Sequence, residues 1–527
     1  MPDHVRTLLD ETVRETPTAR RYLFFPGYLT PNGELHLGHI AGPYLRAEIA
    51  RRTLELFGAD VTTVSASDAF ESGVTYAAAT SGEPAVEIAA HHTERARTAL
   101  TGLGFATDLF ADPSSGAWRE RERTAAISLV EMLERVGRIS LRAEELLVGE
   151  PPAPSAGIGA FVRGACSSCR SSQSGNVCEL CGRWLDAAAM ESVWPHDGVP
   201  RRAVVRSAYV QLSSALDVER MAGVVETDFE YLVPGGLDGP AALRASYPSW
   251  WGLEWPGGSL PGHVLSSYVL GKYGAARMLG DAVASQLGSD PFSPGSDVVT
   301  VAFGGLDSAF GWLALHGLTG ATIPFRPFDH VVVNRFLLLD GEKFSTSRRH
   351  AIRVHDALDA GVDVDALRLL LSRVAPGTTE TDLDVEIATR RSAEDIAAVE
   401  RALRRTASAV TGDAAHEEID PAASRRAREA LAALREAVVL PRVDVPRIAE
   451  TFFDWAEWIA DGGAARSPIF ARRVLAVLAF PLVPAWAKAV EAGAGGGLLP
   501  SGTEPAADLD ITPVPRDALE SLQERVR

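Results

Sequence analysis

The chain has 527 residues, about three or four structural units at the usual ~100–200 residues per domain. Its hydrophobic share of 46% against 23% charged supplies ample material for a buried core, and a formal net charge of −18 disfavours an extended phosphate-binding surface without excluding a local arginine patch. Residues Met1 to Ala19 lack the apolar core of a signal peptide, and the longest apolar run, Val474 to Ala487, is too short and too interrupted by Pro481 and Pro484 to span a bilayer. A cytoplasmic protein without membrane contact is expected.

In chain order, Arg20 to Phe25 reads as a buried strand closed by Pro26-Gly27, and a helical pattern runs from Leu37 to Leu56. Val61 to Val64 reads as a second strand, so the chain opens strand–helix–strand, as doubly wound α/β folds do. Val86 to Gly102 and Trp118 to Val136 have helical spacing. The Pro-, Gly- and Ala-rich stretch Pro151 to Gly164 marks an inserted module that carries all four cysteines. Its Gly157-x-Gly159 lacks the strand–helix context of a dinucleotide site. Strands are expected again over Val298 to Phe303 and Val331 to Leu339. Beyond Asp363 the chain turns helical, with amphipathic stretches at Arg390 to Val410, Asp420 to Val439 and Ile448 to Ile459. Gly493 to Pro515 is expected to hold little regular structure.

Two short segments carry chemistry. His36-Leu37-Gly38-His39 sets two imidazoles on one side of a first helical turn, where free N–H groups favour phosphate and Gly38 leaves room for a flat base. Alone, this is equally a helix start with two surface histidines. Lys343-Phe344-Ser345-Thr346-Ser347 follows a strand and the turn Asp340-Gly341, and a lysine with hydroxyls on such a loop can close over a triphosphate. Alone, it is equally a solvated loop. Lysine occurs elsewhere only at Lys272 and Lys488, so its use at Lys343 is informative. The two segments stand in this order, each after an expected strand, which makes coincidence a poor account. Cys166-x2-Cys169 and Cys178-x2-Cys181 have the spacing of a closed tetrahedral zinc site; two disulfides or four buried thiols are the alternatives.

With these motifs the chain resembles the methionyl-tRNA synthetase family of class I, whose HIGH and KMSKS signatures they match, from about Arg20 to Val490. The resemblance implies an α/β fold: a Rossmann catalytic domain over 1–135 and 261–340, split by a connective insertion with a zinc knuckle over 136–260. A KFSTS loop and stem-contact region would follow at 341–390, an α-helical bundle like an anticodon domain at 391–490, and a tail at 491–527. It implies ATP with Mg2+, structural Zn2+ on Cys166, Cys169, Cys178 and Cys181, and adenylation of an amino acid. By position His36, His39 and Lys343 would be catalytic. Gly38, Gly305, Asp307, Leu337, Ser345, Thr346 and Ser347 would bind ATP, Asp307 by accepting both ribose hydroxyls. Thr346 departs from the family by replacing the second lysine of KMSKS. Tyr28, Thr30, Asp68, Tyr268, Gly271, Ser308 and Trp312 would line the amino-acid site, with Asp68 holding the α-ammonium; the alternative for Asp68 is a strand-end cap.

The side-chain pocket departs from the family. Thr30 stands for a tyrosine, Tyr268 for a tryptophan, Gly271-Lys272 for Ala-Pro and Trp312 for a histidine. Trp312 would shorten the pocket and favour a small side chain, whereas Lys272 could pair with an acidic one, so these departures do not name the amino acid. The asparagines and Pro-Trp segment with which family members read the anticodon are missing from Arg390 to Asp395 and Phe452 to Trp458; Trp455 and Trp458 read better as core packing. The expectation is a divergent paralogue of the natural-product, hydrazine-forming type, which transfers the aminoacyl group to a small-molecule acceptor such as an N-hydroxylated amine. The chain has no His-x-His, so a cupin partner would be a separate protein. The alternatives are a methionine–tRNA ligase with a divergent pocket, and a non-catalytic binding protein.

Overall fold

The computed structural model describes residues 3–15, 19–149, 156–185, 187, 190–192, 201–212, 221–233, 242–320, 322–344, 350–407, 417–500 and 509–526. Five parallel strands form the central sheet: β1 (Arg21–Pro26), β2 (Asp60–Ala66), β3 (Leu109–Ala111), β4 (Val299–Gly305) and β5 (His330–Asn334), in the order β5-β4-β1-β2-β3. A central parallel strand is covered on both faces, which is why β1 reads as a continuous apolar run. Tyr22 and Phe24 enter one core, shared with the helix Leu45–Leu56 and the C-terminal helices. Leu23 and Phe25 enter the other, with Trp312 and Phe328. The chain leaves β1 through β2 and β3 on one side and returns to β4 and β5 on the other. That reversal leaves a crevice at the carboxyl ends of β1 and β4, where open α/β sheets bind ligands.

The insertion begins with a long antiparallel pair, Ile139–Val148 against Arg201–Gln211, extended by Ala242–Arg244. Between the two long strands lies a small sheet of Ser172–Ser174, Val162–Ala165 and Glu191–Ser192, which carries the cysteines.

The expected helix Leu37 to Leu56 is interrupted: Leu37–His39 leads into a wide turn, Ile40–Tyr44, with Pro43 inside and non-helical Gly42. The expected strand Val331 to Leu339 is two strands. β5 ends at Asn334, and Leu337–Leu339 belongs to a separate sheet, antiparallel to Glu342–Lys343 and parallel to Thr381–Leu383. The hairpin turns through Asp340 and Gly341, both at positive φ (48° and 79°), the two-residue turn whose twist suits antiparallel strands.

Helices Val364–Val374, Val385–Thr406, Pro421–Glu436, Val445–Ala460, Pro468–Ala479 and Pro484–Ala492 build the C-terminal half. Val445–Ala460 lies at its centre, packed on four of the others. The N-terminal helix His4–Glu15, placed with the catalytic unit by the sequence, packs on this bundle instead: His4 meets Ser424, and Glu11 pairs with Arg428 at 3.2 Å. The expected tail contains a helix, Arg516–Val526, which also packs on the bundle. Buried Arg46 ties the two halves by donating to the carbonyls of Val443 and Pro376.

Candidate active site

The chain after β1 carries Tyr28 and then the HLGH turn. His36 and His39 stack with ring centroids 3.7 Å apart, and each ring's Nδ1 accepts the other residue's backbone N–H at 3.3 Å. With Nδ1 used as an acceptor on both rings, the neutral imidazoles carry their proton on Nε2, where it can be donated outward. Burial, then the charges of His39 and Lys343, hold His36 well below the ordinary histidine range. Solvent still reaches His39 from the cleft, but enclosure by the surrounding protein, and next the Lys343 charge, pull its pKa down to about 4. Both rings are therefore neutral donors at pH 7.

The lysine segment is folded onto this turn. Leu37 N–H donates to the Ile352 carbonyl and Val354 N–H to that of Leu35, so the strand that returns from the KFSTS segment is stitched to HLGH. Phe344 stacks on His36 at 5.0 Å, and a Cβ on Gly38 would lie 3.2 Å from the Phe344 ring and 3.1 Å from that of His36. Only glycine lets the three meet without displacement. Lys343 Nζ lies 4.3 Å from the centre of the Phe336 ring and 2.6 Å from Glu179, a residue between the second pair of cysteines. Ser345, Thr346 and Ser347 lie outside the described residues. Leu337 is buried in the core with Leu37 and Phe344.

After β4, Gly305 precedes the helix Leu306–Thr319, whose first turn holds Asp307. A Cβ at Gly305 would come within 2.8 Å of Asp307 Oδ1, so the glycine makes room for the carboxylate. Burial raises the Asp307 carboxyl while Lys343 pulls it down. Tyr268 donates its hydroxyl to the Asp307 carbonyl. The Ser308 hydroxyl is used within the same turn, donating to the Gly305 carbonyl at 3.1 Å.

After β2, Asp68 is buried, with Oδ1 lacking a partner among the described residues. Around it the structure gathers Tyr28, Tyr268 and Trp312, which the resemblance set in the amino-acid site, Lys272, which it named as a departure of the pocket, and Glu122, which the sequence reading did not name. Lys272 is 1% exposed. Its Nζ lies 4.5 Å from the Trp312 ring centre, 4.6 Å from that of Tyr28 and 5.4 Å from that of Tyr268. Glu122 is fully buried on the helix Gly116–Arg135; its Oε1 accepts the Tyr28 hydroxyl at 2.9 Å and its Oε2 has no partner among the described residues. Burial first, then the Asp68 charge, push its pKa up to about 8. Burial likewise raises Asp68 and lowers Lys272, each opposed by the other's charge. Gly271 borders Glu122 Oε1, whereas Thr30 lies against Gly73. Trp184, from the cysteine module, closes over Tyr268 and Phe310 at 5.9 and 5.4 Å. A buried glutamate and a tryptophan from the insertion have no local sequence signal, whereas the family resemblance had already set Lys272 in the pocket in place of a proline.

The four cysteines are free thiols whose sulfurs all lie within 4.8 Å of one another, with Cys166–Cys181 at 3.7 Å and Cys169–Cys178 at 3.5 Å. A tetrahedral ion with Zn–S bonds of ~2.3 Å spaces its ligands ~3.8 Å apart, so the set fits zinc.

A Rossmann sheet split by a cysteine-bearing insertion, with HLGH after the first strand and the lysine segment after the last, defines a class I synthetase fold. The family model for tRNA synthetases class I (M) matches residues 27–198 and 312–406, and the chain belongs to that family of ATP-dependent ligases. Relatives include the methionine–tRNA ligase of Dehalococcoides mccartyi, 28% identical over 395 residues (70% of this chain, 67% of that protein). That of Porphyromonas gingivalis is 25% identical over 372 residues (67% of this chain, 52% of that protein). The chain thus spans between about half and two thirds of the curated relatives it matches. In fold it is similar to Mycobacterium tuberculosis methionyl-tRNA synthetase in complex with methionyl-adenylate, at a TM-score of 0.65 and 17% identity, over 89% of this chain and 92% of that one. Among the described residues no helix is long and apolar enough to cross a membrane.

Proposed function

We propose that the protein activates an α-amino acid with ATP as the aminoacyl-adenylate and transfers it to a small-molecule acceptor, of which an N-hydroxylated amine is the leading example. The observation that carries adenylation is the convergence of His36, His39, Asp68, Asp307 and Lys343 on one crevice at the carboxyl ends of β1, β2 and β4. In the reaction the amino-acid carboxylate bonds to the α-phosphorus of ATP as the bond to the bridging oxygen breaks, and pyrophosphate leaves with that electron pair. Nε2–H groups of His36 and His39 would stabilise the α-phosphate, and Lys343 the departing pyrophosphate once it leaves Glu179. Asp307 would accept the ribose hydroxyls and Asp68 the α-ammonium. Mg2+ would accompany ATP, and zinc on the four cysteines would cross-link the module that carries Trp184 and Glu179.

For the acceptor, the bundle's own contacts favour a small molecule. Trp455 is buried, its Nε1 donating to the Ala471 carbonyl at 3.0 Å, so it is not free to stack on a base. Arg373 and Arg391 pair with Asp395, Arg428 with Glu11, and Arg426 lies over Trp458. The second reading, a tRNA acceptor, is favoured by the relatives, which are named methionine–tRNA ligases. Amino-acid-dependent ATP–pyrophosphate exchange tests the first step. Aminoacylation of total tRNA, set against ester formation with an N-hydroxylated amine and the same amino acid, tests the second. Robust tRNA charging overturns the small-molecule reading, and a separate cupin protein that consumes the ester would extend it.

A further inference from the structure

We propose that the side-chain pocket selects an amino acid with a carboxylate side chain, aspartate or glutamate, and that Lys272 is its counter-ion. This rests on the reading that Asp68 takes the substrate's α-ammonium.

An ammonium withdrawn from water needs a partner, because burying an unpaired charge costs far more than packing can return. Lys272 is buried on the helix Lys272–Leu287, yet Nζ has neither a hydrogen bond nor an ion pair among the described residues; three aromatic rings surround it. Rings stabilise a cation only in part and accept none of its three N–H bonds. The acidic groups whose charges reach it are Asp68, Glu71, Asp307 and Glu122. Asp68 is assigned to the α-ammonium and Asp307 to the ribose. Glu71 is engaged by the Gly73 N–H, the Ser72 hydroxyl and the Asn176 amide. Glu122 holds the Tyr28 hydroxyl and, neutral at pH 7, can present a proton on its free Oε2. The Trp312 indole N–H is also buried and has no partner among the described residues. The cluster is therefore rich in unused donors, a lining that complements an anion and that a thioether, only a weak acceptor, satisfies poorly.

The lysine is built in by its neighbours. Gly311, on the helix Leu306–Thr319, lies beneath its stem: a Cβ there would come within 3.1 Å of Lys272 Cε and 3.0 Å of the Tyr268 carbonyl oxygen. A side chain at position 311 would displace the lysine from its cage.

The test is ATP–pyrophosphate exchange by the intact protein with each of the twenty amino acids in turn. Aspartate or glutamate should exceed its own amide, asparagine or glutamine, and exceed methionine and glycine, by ~10²-fold or more in kcat/KM, the scale of a buried charge pair. This comparison needs no variant. In Lys272→Met the preference for the acid over its amide should collapse, chiefly through KM for the acid. Wild-type exchange that favours methionine, glycine or another uncharged amino acid overturns the assignment of Lys272 while leaving adenylation standing. An acid preference unchanged in Lys272→Met also overturns it. Exchange with none of the twenty removes the adenylation reading, and this inference with it.

Discussion

In the proposed reaction two neutral imidazoles and one lysine would divide the phosphate work between them. His39 is held to a pKa of about 4 by enclosure and by the Lys343 charge, so it stays an uncharged donor across the physiological range. We expect His39→Ala and Lys343→Ala each to lower exchange by ~10²-fold or more while circular dichroism stays that of the parent, because each removes a donor to charge that develops in the transition state. Near-parental rates in both would put the active site elsewhere. Asp68 would anchor an ammonium only as a carboxylate, and burial holds it above the usual carboxylate range, so kcat/KM for the amino acid should fall early on the acid side. On the alkaline side Glu122 ionises through about 8 and Lys272, lowered by burial, loses its charge sooner than a free lysine. Both changes remove donors from the pocket. The pH profile of kcat/KM should therefore be a narrow bell whose limbs belong to the cluster as a whole. A flat profile between about pH 6 and 9 would contradict this.

At the level of elements, the cysteine module covers part of the site. It sends Trp184 over Tyr268 and Glu179 to Lys343, and Arg335 donates to the Leu180 carbonyl at 3.4 Å. The purified protein should contain about one zinc per chain. Removing it by chelation, or weakening the site in Cys178→Ser, should raise KM for the amino acid, because the cover over Tyr268 is no longer held. Metal analysis with thiol titration checks the first point, and exchange kinetics the second. Four titratable thiols with no metal would refute it. This arrangement was half legible in advance. The paired CxxC spacing is local and names its own chemistry, but where the module docks depends on contacts with β4's helix and with Phe310 and Tyr268. Apolar periodicity also missed the break after Asn334. Residues 331–339 read as one run, and only hydrogen bonding to β4 on one side and to Thr381–Leu383 on the other divides it.

Across the whole molecule, the helical half is joined to the catalytic half through buried polar contacts as well as apolar packing. Arg368 donates to the carbonyls of Leu482 and Leu103, and Arg46 to those of Val443 and Pro376. At the bundle's centre Trp455 fills a fully buried site, so Trp455→Ala should cost ~3–5 kcal/mol, seen as a lower denaturation midpoint at unchanged slope. A surface tryptophan kept to stack on a base would leave the midpoint unmoved. By itself the sequence determined what local pattern and spacing can carry: the opening strand–helix–strand, the HLGH and KFSTS segments, the cysteine pairs and the helical C-terminal half. These rest on side-chain period, turn residues and short-range ligand geometry, which neighbours in the chain decide. The family resemblance named Asp68, Tyr268, Trp312 and Lys272 for the pocket, but only the tertiary structure brought Glu122 and Trp184 to it and decided which charges are buried together. Lys272, Glu122, Trp312 and Asp68 come from three different helices and the end of a strand, Gly311 must yield space beneath the lysine, and Trp184 arrives from an insertion. Charge burial depends on the sum of such distant neighbours, and no stretch of sequence contains that sum.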